Sequence, residues 1–204
     1  MKLDGAVAIV TGSAAGLGAA TAKRLAAAGT KVAINYTKSE AEAKAGIAEI
    51  EADGGEAVLA QGDVSDDAAC RKIVETVINK WGRVDILVNN AGTTEFANHS
   101  DLDALNADDF HRIYGVNVVG AYQMIRACTP HMKAQGAGSV VNISSIAGVT
   151  GIGSSVAYAA SKGAMNTMTL SLARALAPEI RVNAVCPGFI GTRWFKDKFG
   201  ENFF

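Results

Sequence analysis

Short apolar runs alternate with longer stretches of helical spacing along the chain. "AVAIVTG" at 6–12 is an apolar run closed by glycine, and "LGAATAKRLAAAG" at 17–29 is helical up to Gly29. "KVAINY" at 31–36 reads as a strand, 39–55 as a charged amphipathic helix, and "EAVLAQGDV" at 56–64 as a third strand. A helix at 66–81, a strand at 83–92, one long helix near 107–135, a strand at 138–145, a helix over 154–178 and a strand at 180–188 follow. The six strands are continuous apolar runs, as in a parallel sheet covered on both faces. No linker, repeat or low-complexity tract interrupts the rhythm, so the pattern predicts one doubly wound α/β domain over 1–204.

Composition narrows the function classes. A chain of 204 residues with 49% hydrophobic and 19% charged residues reads as globular, with enough length for a real core. A net charge of −1 leaves no electrostatic footprint for nucleic acid or an anionic membrane surface. The apolar runs are too short to span a bilayer, and the N-terminus lacks the regions of a signal peptide, so a cytoplasmic location is expected. Cys70, Cys128 and Cys186 have no metal-ligand spacing and read as reduced thiols; no metal is expected. His99, His111 and His131 read as surface residues, and Met165 and Met168 as packing.

Two stretches carry candidate chemistry. In "VTGSAAGLGAA", Gly12, Gly16 and Gly18 lie between a strand and a helix, with Ala15 and Leu17 among them. Such a turn lets a phosphate approach the backbone, and the helix that follows points its free N–H groups and positive dipole end at it. The spacing is G-x-x-x-G-x-G rather than the commoner G-x-G-x-x-G. In the apolar helix over 154–178, Tyr158 and Lys162 are four residues apart and share a face. A neighbouring ammonium is expected to pull a phenol pKa down from ~10 toward the neutral range, making Tyr158 usable as a general acid or base. Taken alone, the pair is better read as an amphipathic tyrosine beside a snorkelling lysine.

Thr11-Gly12-x-x-x-Gly16-x-Gly18, then Asn89-Asn90-Ala91-Gly92, then Tyr158-x-x-x-Lys162, in that order, resemble the classical short-chain dehydrogenases/reductases. The resemblance covers residues 4–194. It implies a Rossmann-type sheet of order 3-2-1-4-5-6 and a nicotinamide-dependent oxidoreductase acting on a small carbonyl or alcohol. It further implies a catalytic tetrad of Asn117, Ser145, Tyr158 and Lys162. Ser145, thirteen residues before the tyrosine, would bond the substrate oxygen, with Ser144 a structural neighbour. Asn117, a poor helix former inside an apolar helix, would distort that helix and hold a water in a proton relay. Lys162 would also hold the nicotinamide ribose.

For the cofactor, the resemblance places Asp63 and Val64 beside the adenine and Asn90, Ala91 and Gly92 where its ribose passes. Pro187, Gly188, Ile190 and Thr192 would cover the nicotinamide. The end of the second strand, Asn35-Tyr36-Thr37-Lys38-Ser39, has no carboxylate to repel a 2′-phosphate. Tyr36, Thr37 and Lys38 therefore point to NADP(H), although Ala15 lacks the basic side chain many NADP-using relatives carry in the glycine turn; NAD(H) stays open.

Family members run about fifty residues longer and add a substrate lid and a seventh strand, so the chain is expected to continue beyond Phe204. Five of the seven phenylalanines fall in 189–204 with Trp194, which suits a lid. The long helices are expected to form a homodimer or homotetramer. Within the enzyme class, reduction of 3-oxoacyl thioesters and oxidation of sugars or other alcohols both fit. A cofactor-binding sensor is the other class, and a sensor has no need of the full tetrad.

Overall fold

The computed structural model describes residues 2–192 and 200. Six strands, β1 (Val7–Val10), β2 (Lys31–Tyr36), β3 (Ala57–Gln61), β4 (Ile86–Asn89), β5 (Gly138–Ile143) and β6 (Ile180–Val185), form one sheet. Its order is β3-β2-β1-β4-β5-β6, and every pairing is parallel. The helices are α1 (Gly16–Ala27), α2 (Glu40–Ala52), α3 (Asp67–Trp81), α4 (Ala107–Tyr114), α5 (Ala121–Ala134), α6 (Ala147–Thr150) and α7 (Val156–Ala175). The expected doubly wound sheet and its strand order are therefore present.

The unbroken apolar runs follow from burial on both faces. Val7 and Ile9 of β1 join a core with Ile73 and Val77 of α3 and Met124 and Cys128 of α5. Ala8 and Val10, pointing the other way, join Ala22 and Ala26 of α1 and Ala43 and Ile50 of α2. All strands run the same way, so their C-terminal ends gather along one edge. The strand order reverses between β1 and β4, where open α/β sheets form ligand crevices.

Several elements are shorter or more broken than the hydrophobic pattern predicts. β3 stops at Gln61 rather than 64, because Asp63 turns the chain by accepting bonds from the N–H and hydroxyl of Ser65. The single helix expected over 107–135 is α4, a π-helical segment at Gly115–Gly120, then α5. The π segment holds Asn117, so the expected distortion of this helix lies where that residue is. α6 was not legible at all. Residues 193–199 and 201–204, with the expected aromatic lid and Trp194, lie outside the described residues. No helix among the described residues is long and apolar enough to cross a membrane.

Candidate active site

A cavity of about 1150 Å³ opens at the C-terminal ends of the strands. At one end is the glycine turn between β1 and α1. Gly12 has φ +61°, and a Cβ there would stand 2.9 Å from Ala91 Cα. At Gly18 a Cβ would come within 2.5 Å of both Asn90 Nδ2 and the Gly12 carbonyl. Two asparagines lock the turn. Asn90 Nδ2 donates to the carbonyls of Thr11 (2.9 Å) and Gly12 (3.1 Å). Asn35 Oδ1 accepts from Gly12 N–H (3.0 Å), while its Nδ2 donates to the carbonyls of Ala60 and Gly62. α1 starts at Gly16, and Ala15 before it offers no side-chain cap, leaving the first N–H groups of the helix directed at the cavity. An anion such as a dinucleotide pyrophosphate fits this cradle: the backbone is bare, no Cβ fills it and the helix end lacks a cap.

At the other end, the chain just after β5 and α7 bring Ser145, Tyr158 and Lys162 together. The buried Ser155 hydroxyl caps α7 by accepting from Tyr158 N–H (3.2 Å), which fixes where Tyr158 leaves the helix. The Tyr158 and Ser145 side chains are hydrogen-bonded. Lys162, only 3% exposed, donates from Nζ to the carbonyl of Ile143 at the end of β5 (2.7 Å), and Nζ is 5.7 Å from the Tyr158 ring centre. Ser144 does not face this group in the same way: it is buried and donates to the Lys162 carbonyl, fastening β5 to α7. Asn117 is fully buried behind the cavity. Its Oδ1 accepts from Thr93 N–H (2.8 Å), and its Nδ2 donates to the Thr93 carbonyl and to Ser161 Oγ, both at 3.0 Å. Ser161 in turn donates to the Tyr158 carbonyl (2.7 Å).

The stretch after β6 bridges the two ends. Ile146 N–H donates to the Pro187 carbonyl (3.0 Å), and Thr192 Cγ2 lies 3.6 Å from where a Gly16 Cβ would be. Of the residues singled out in the sequence, Gly12, Ala15, Gly16, Leu17, Gly18, Thr37, Asp63, Val64, Asn90, Ala91 and Gly92 line the cavity on the glycine-turn side. Ser145, Tyr158, Lys162, Pro187, Gly188, Ile190 and Thr192 line the rest. Tyr36 is outside the lining, buried in the core against α1 and α2. Lys38 is exposed and also outside it. The sequence reading missed Asn35, whose signal was an amide at the strand end where a carboxylate was looked for. It also missed Ser155 and Ser161, helix hydroxyls with no pattern of their own.

A family model described as short chain dehydrogenase matches residues 6–202. The chain belongs to the short-chain dehydrogenase family. It is 40% identical to the 7alpha-hydroxysteroid dehydrogenase of Clostridium sardiniense over 203 residues, 99% of this chain and 77% of that protein. It is 38% identical to a 3-oxoacyl-[acyl-carrier-protein] reductase of Synechocystis sp. over 191 residues, 93% of this chain and 76% of that one. Among solved structures, NAD+-bound xylitol dehydrogenase superposes with a TM-score of 0.87 at 38% identity, covering 94% of this chain and 73% of that one. The oxidoreductase class that the motifs implied is therefore the class of this short-chain dehydrogenase.

The electrostatics depart from the sequence expectation. Burial pushes the Tyr158 phenol above its ordinary pKa, and the Ser145 hydrogen bond only partly opposes this. Lys162 was expected to pull the phenol down; burial instead lowers the lysine itself, to about 8. The reason is geometric, since its ammonium is bonded to a backbone carbonyl, 5.7 Å from the ring centre. Both side chains are held toward their uncharged forms. Among the cysteines, burial raises Cys70 to about 12 and Cys128 further, while Cys186 is exposed.

Proposed function

We propose that this short-chain dehydrogenase is an NADP(H)-dependent oxidoreductase that interconverts a carbonyl and a secondary alcohol, with Tyr158 passing the proton. The observation that carries this reading is the Ser145–Tyr158 hydrogen bond beside a nearly fully buried Lys162, in the cavity that also holds the bare glycine turn. When bound, the nicotinamide supplies or accepts the hydride. The N–H groups of Gly16, Leu17 and Gly18 would hold the pyrophosphate, and Asp63 and Val64 the adenine. Asn90, Ala91 and Gly92 would meet its ribose, and Pro187, Gly188, Ile190 and Thr192 the nicotinamide. Lys162 would hold the nicotinamide ribose. Thr37, at the cavity edge, and the exposed Lys38 beside it would take a 2′-phosphate where no carboxylate opposes one. This is the support for NADP(H) over NAD(H).

In reduction, the hydroxyls of Ser145 and Tyr158 would take the substrate oxygen between them. As that oxygen gains negative charge, the Tyr158 proton moves to it and the Ser145 hydroxyl steadies it. The Lys162 ammonium, 5.7 Å from the ring centre, would offset only part of the burial cost of the phenolate left behind. A phenol raised by burial rests in the protonated state that reduction requires. Asn117 positions Tyr158 through Ser161, whose hydroxyl holds the Tyr158 carbonyl. Assembly into a homodimer or homotetramer, in the cytoplasm, completes the proposal, since Val119, Tyr122 and Leu170 expose apolar side chains around the long helices.

The test is Tyr158→Phe, assayed for turnover and for NADPH binding. Turnover should fall by a factor of about 10² to 10⁴, the usual share of positioned acid–base catalysis, with NADPH affinity nearly unchanged. Turnover close to that of the parent enzyme would overturn the assignment.

A further inference from the structure

The part of the cavity beyond Ser145 and Tyr158 has a chemistry of its own. Its wall is made by residues 94–99 and 151–154, which are fastened together. Ala97 N–H donates to the Ser154 carbonyl (2.9 Å), and a His99 ring nitrogen lies 3.1 Å from the Gly153 carbonyl. The hydroxyls of Thr94 and Ser154 are 2.6 Å apart, and Thr94 Oγ also donates to the Glu95 carbonyl. With the Thr94 proton on Glu95, the Ser154 proton is the one shared between the two hydroxyls, so neither is left to donate to a ligand. Asn98 gives its amide oxygen to the N–H and hydroxyl of Ser100.

Besides Asn98, the large side chains that face outward around this end are apolar. Ile152 is 75% exposed, Phe189 52% and Ile146 44%, and all three line the cavity with Phe96. Two of them adjoin the reacting residues in the chain: Ile146 follows Ser145, and Ile152 precedes Gly153, which lies against the Tyr158 ring. Among the described lining residues, the charged ones are Asp63, on the glycine-turn side, and Lys162, whose ammonium is bonded to Ile143.

Resting on the oxidoreductase reading above, we infer that the substrate is a neutral ketone, or its secondary alcohol, carried on an apolar ring or chain. A polyol entering this end would lose water from several hydroxyls, and Thr94 and Ser154 have no proton left to return to it. A phosphorylated or carboxylated substrate would find no cation among the described residues that line this end of the cavity except Lys162, whose ammonium is bonded to Ile143. An apolar skeleton would cover Ile146, Ile152 and Phe189, removing their exposed surface from water.

The experiment measures initial rates with NADPH and NADH on three probes: 4-alkylcyclohexanones of increasing chain length, D-xylulose, and dihydroxyacetone phosphate. From cyclohexanone to 4-propylcyclohexanone, kcat/KM should rise roughly tenfold or more, the lower range for added methylenes in an apolar pocket. Ile152→Asn should remove most of that gain through KM with kcat little changed, and Ile152→Leu should keep it. A preference for xylulose or the phosphate, or a gain indifferent to Ile152→Asn, overturns the inference while leaving the oxidoreductase intact. If no ketone turns over, calorimetry of 4-propylcyclohexanol against the enzyme–cofactor complex decides. Binding of cofactor but not of this alcohol sinks the substrate class alone, whereas failure to bind either cofactor sinks the oxidoreductase reading itself.

Discussion

Lys162→Met should make the cofactor-free protein more stable at neutral pH. Lys162 is 3% exposed, and burial lowers its pKa from 10.5 to about 8. An unfolded lysine keeps its proton up to pH ~10.5, whereas the folded one gives it up from about 8. Between those values the unfolded chain binds more protons, so stability rises with pH across that window. Below pH ~8 the lysine destabilises the fold by about 3 kcal/mol, at 1.36 kcal/mol per pKa unit. Methionine removes that charge at similar length but leaves the Ile143 carbonyl without its donor, a loss of about 1 kcal/mol. The net gain is about 2 kcal/mol at pH 7, or ~4–8 °C in Tm for a chain of this size. At pH 10 the difference should shrink to near zero, because the folded lysine is then neutral and most of the penalty has gone. Urea unfolding of both proteins at pH 7 and pH 10 measures this directly, and their difference cancels other titrations. A Met variant less stable at pH 7, or a gap unchanged at pH 10, would refute the reasoning. The same variant should bind cofactor more weakly and turn over more slowly.

Lys38→Ala should narrow the preference for NADPH over NADH, and more so at low salt than at high salt, because an exposed phosphate contact is screened; titration of both cofactors at two ionic strengths checks this, and equal affinities in the parent would contradict the NADP(H) assignment. Gly12→Ala, at φ +61° and with its new Cβ 2.9 Å from Ala91 Cα, should destabilise the fold by at least ~1–2 kcal/mol and abolish dinucleotide binding; unaltered binding by fluorescence would show that the turn does not cradle the cofactor. Asn117→Ala, which breaks three hydrogen bonds of a fully buried amide, should lower stability by about 2–3 kcal/mol and also depress kcat more than KM; denaturation curves alongside steady-state kinetics separate the two effects.

The amino-acid sequence by itself determined the sheet, its strands and the ligand-bearing edge. Residues such as Val7, Ala8, Ile9 and Val10 are apolar without alternation because helices cover both faces of the sheet, and that pattern is local in the chain. The glycine turn was legible for a similar reason: Gly12 and Gly18 answer to a backbone shape and a close approach that side chains forbid, and their spacing is written within one turn. Tyr158 and Lys162 were legible because four residues on a helix fix their shared face. Ser145 and Asn117 came only through resemblance, since they reach α7 from other elements. Tertiary structure decided what spacing does not encode. Asn35 became a lock on the glycine turn because β2 lies beside β1. Asn117 met Ser161 across 44 residues, and a π-helical segment surrounds it. The charge states turned on the fold most of all: proximity in sequence predicts a lysine that lowers a tyrosine pKa, but burial acts on both residues and pushes each toward neutrality. Desolvation depends on every element packed around a side chain, and only the assembled sheet and helices specify it.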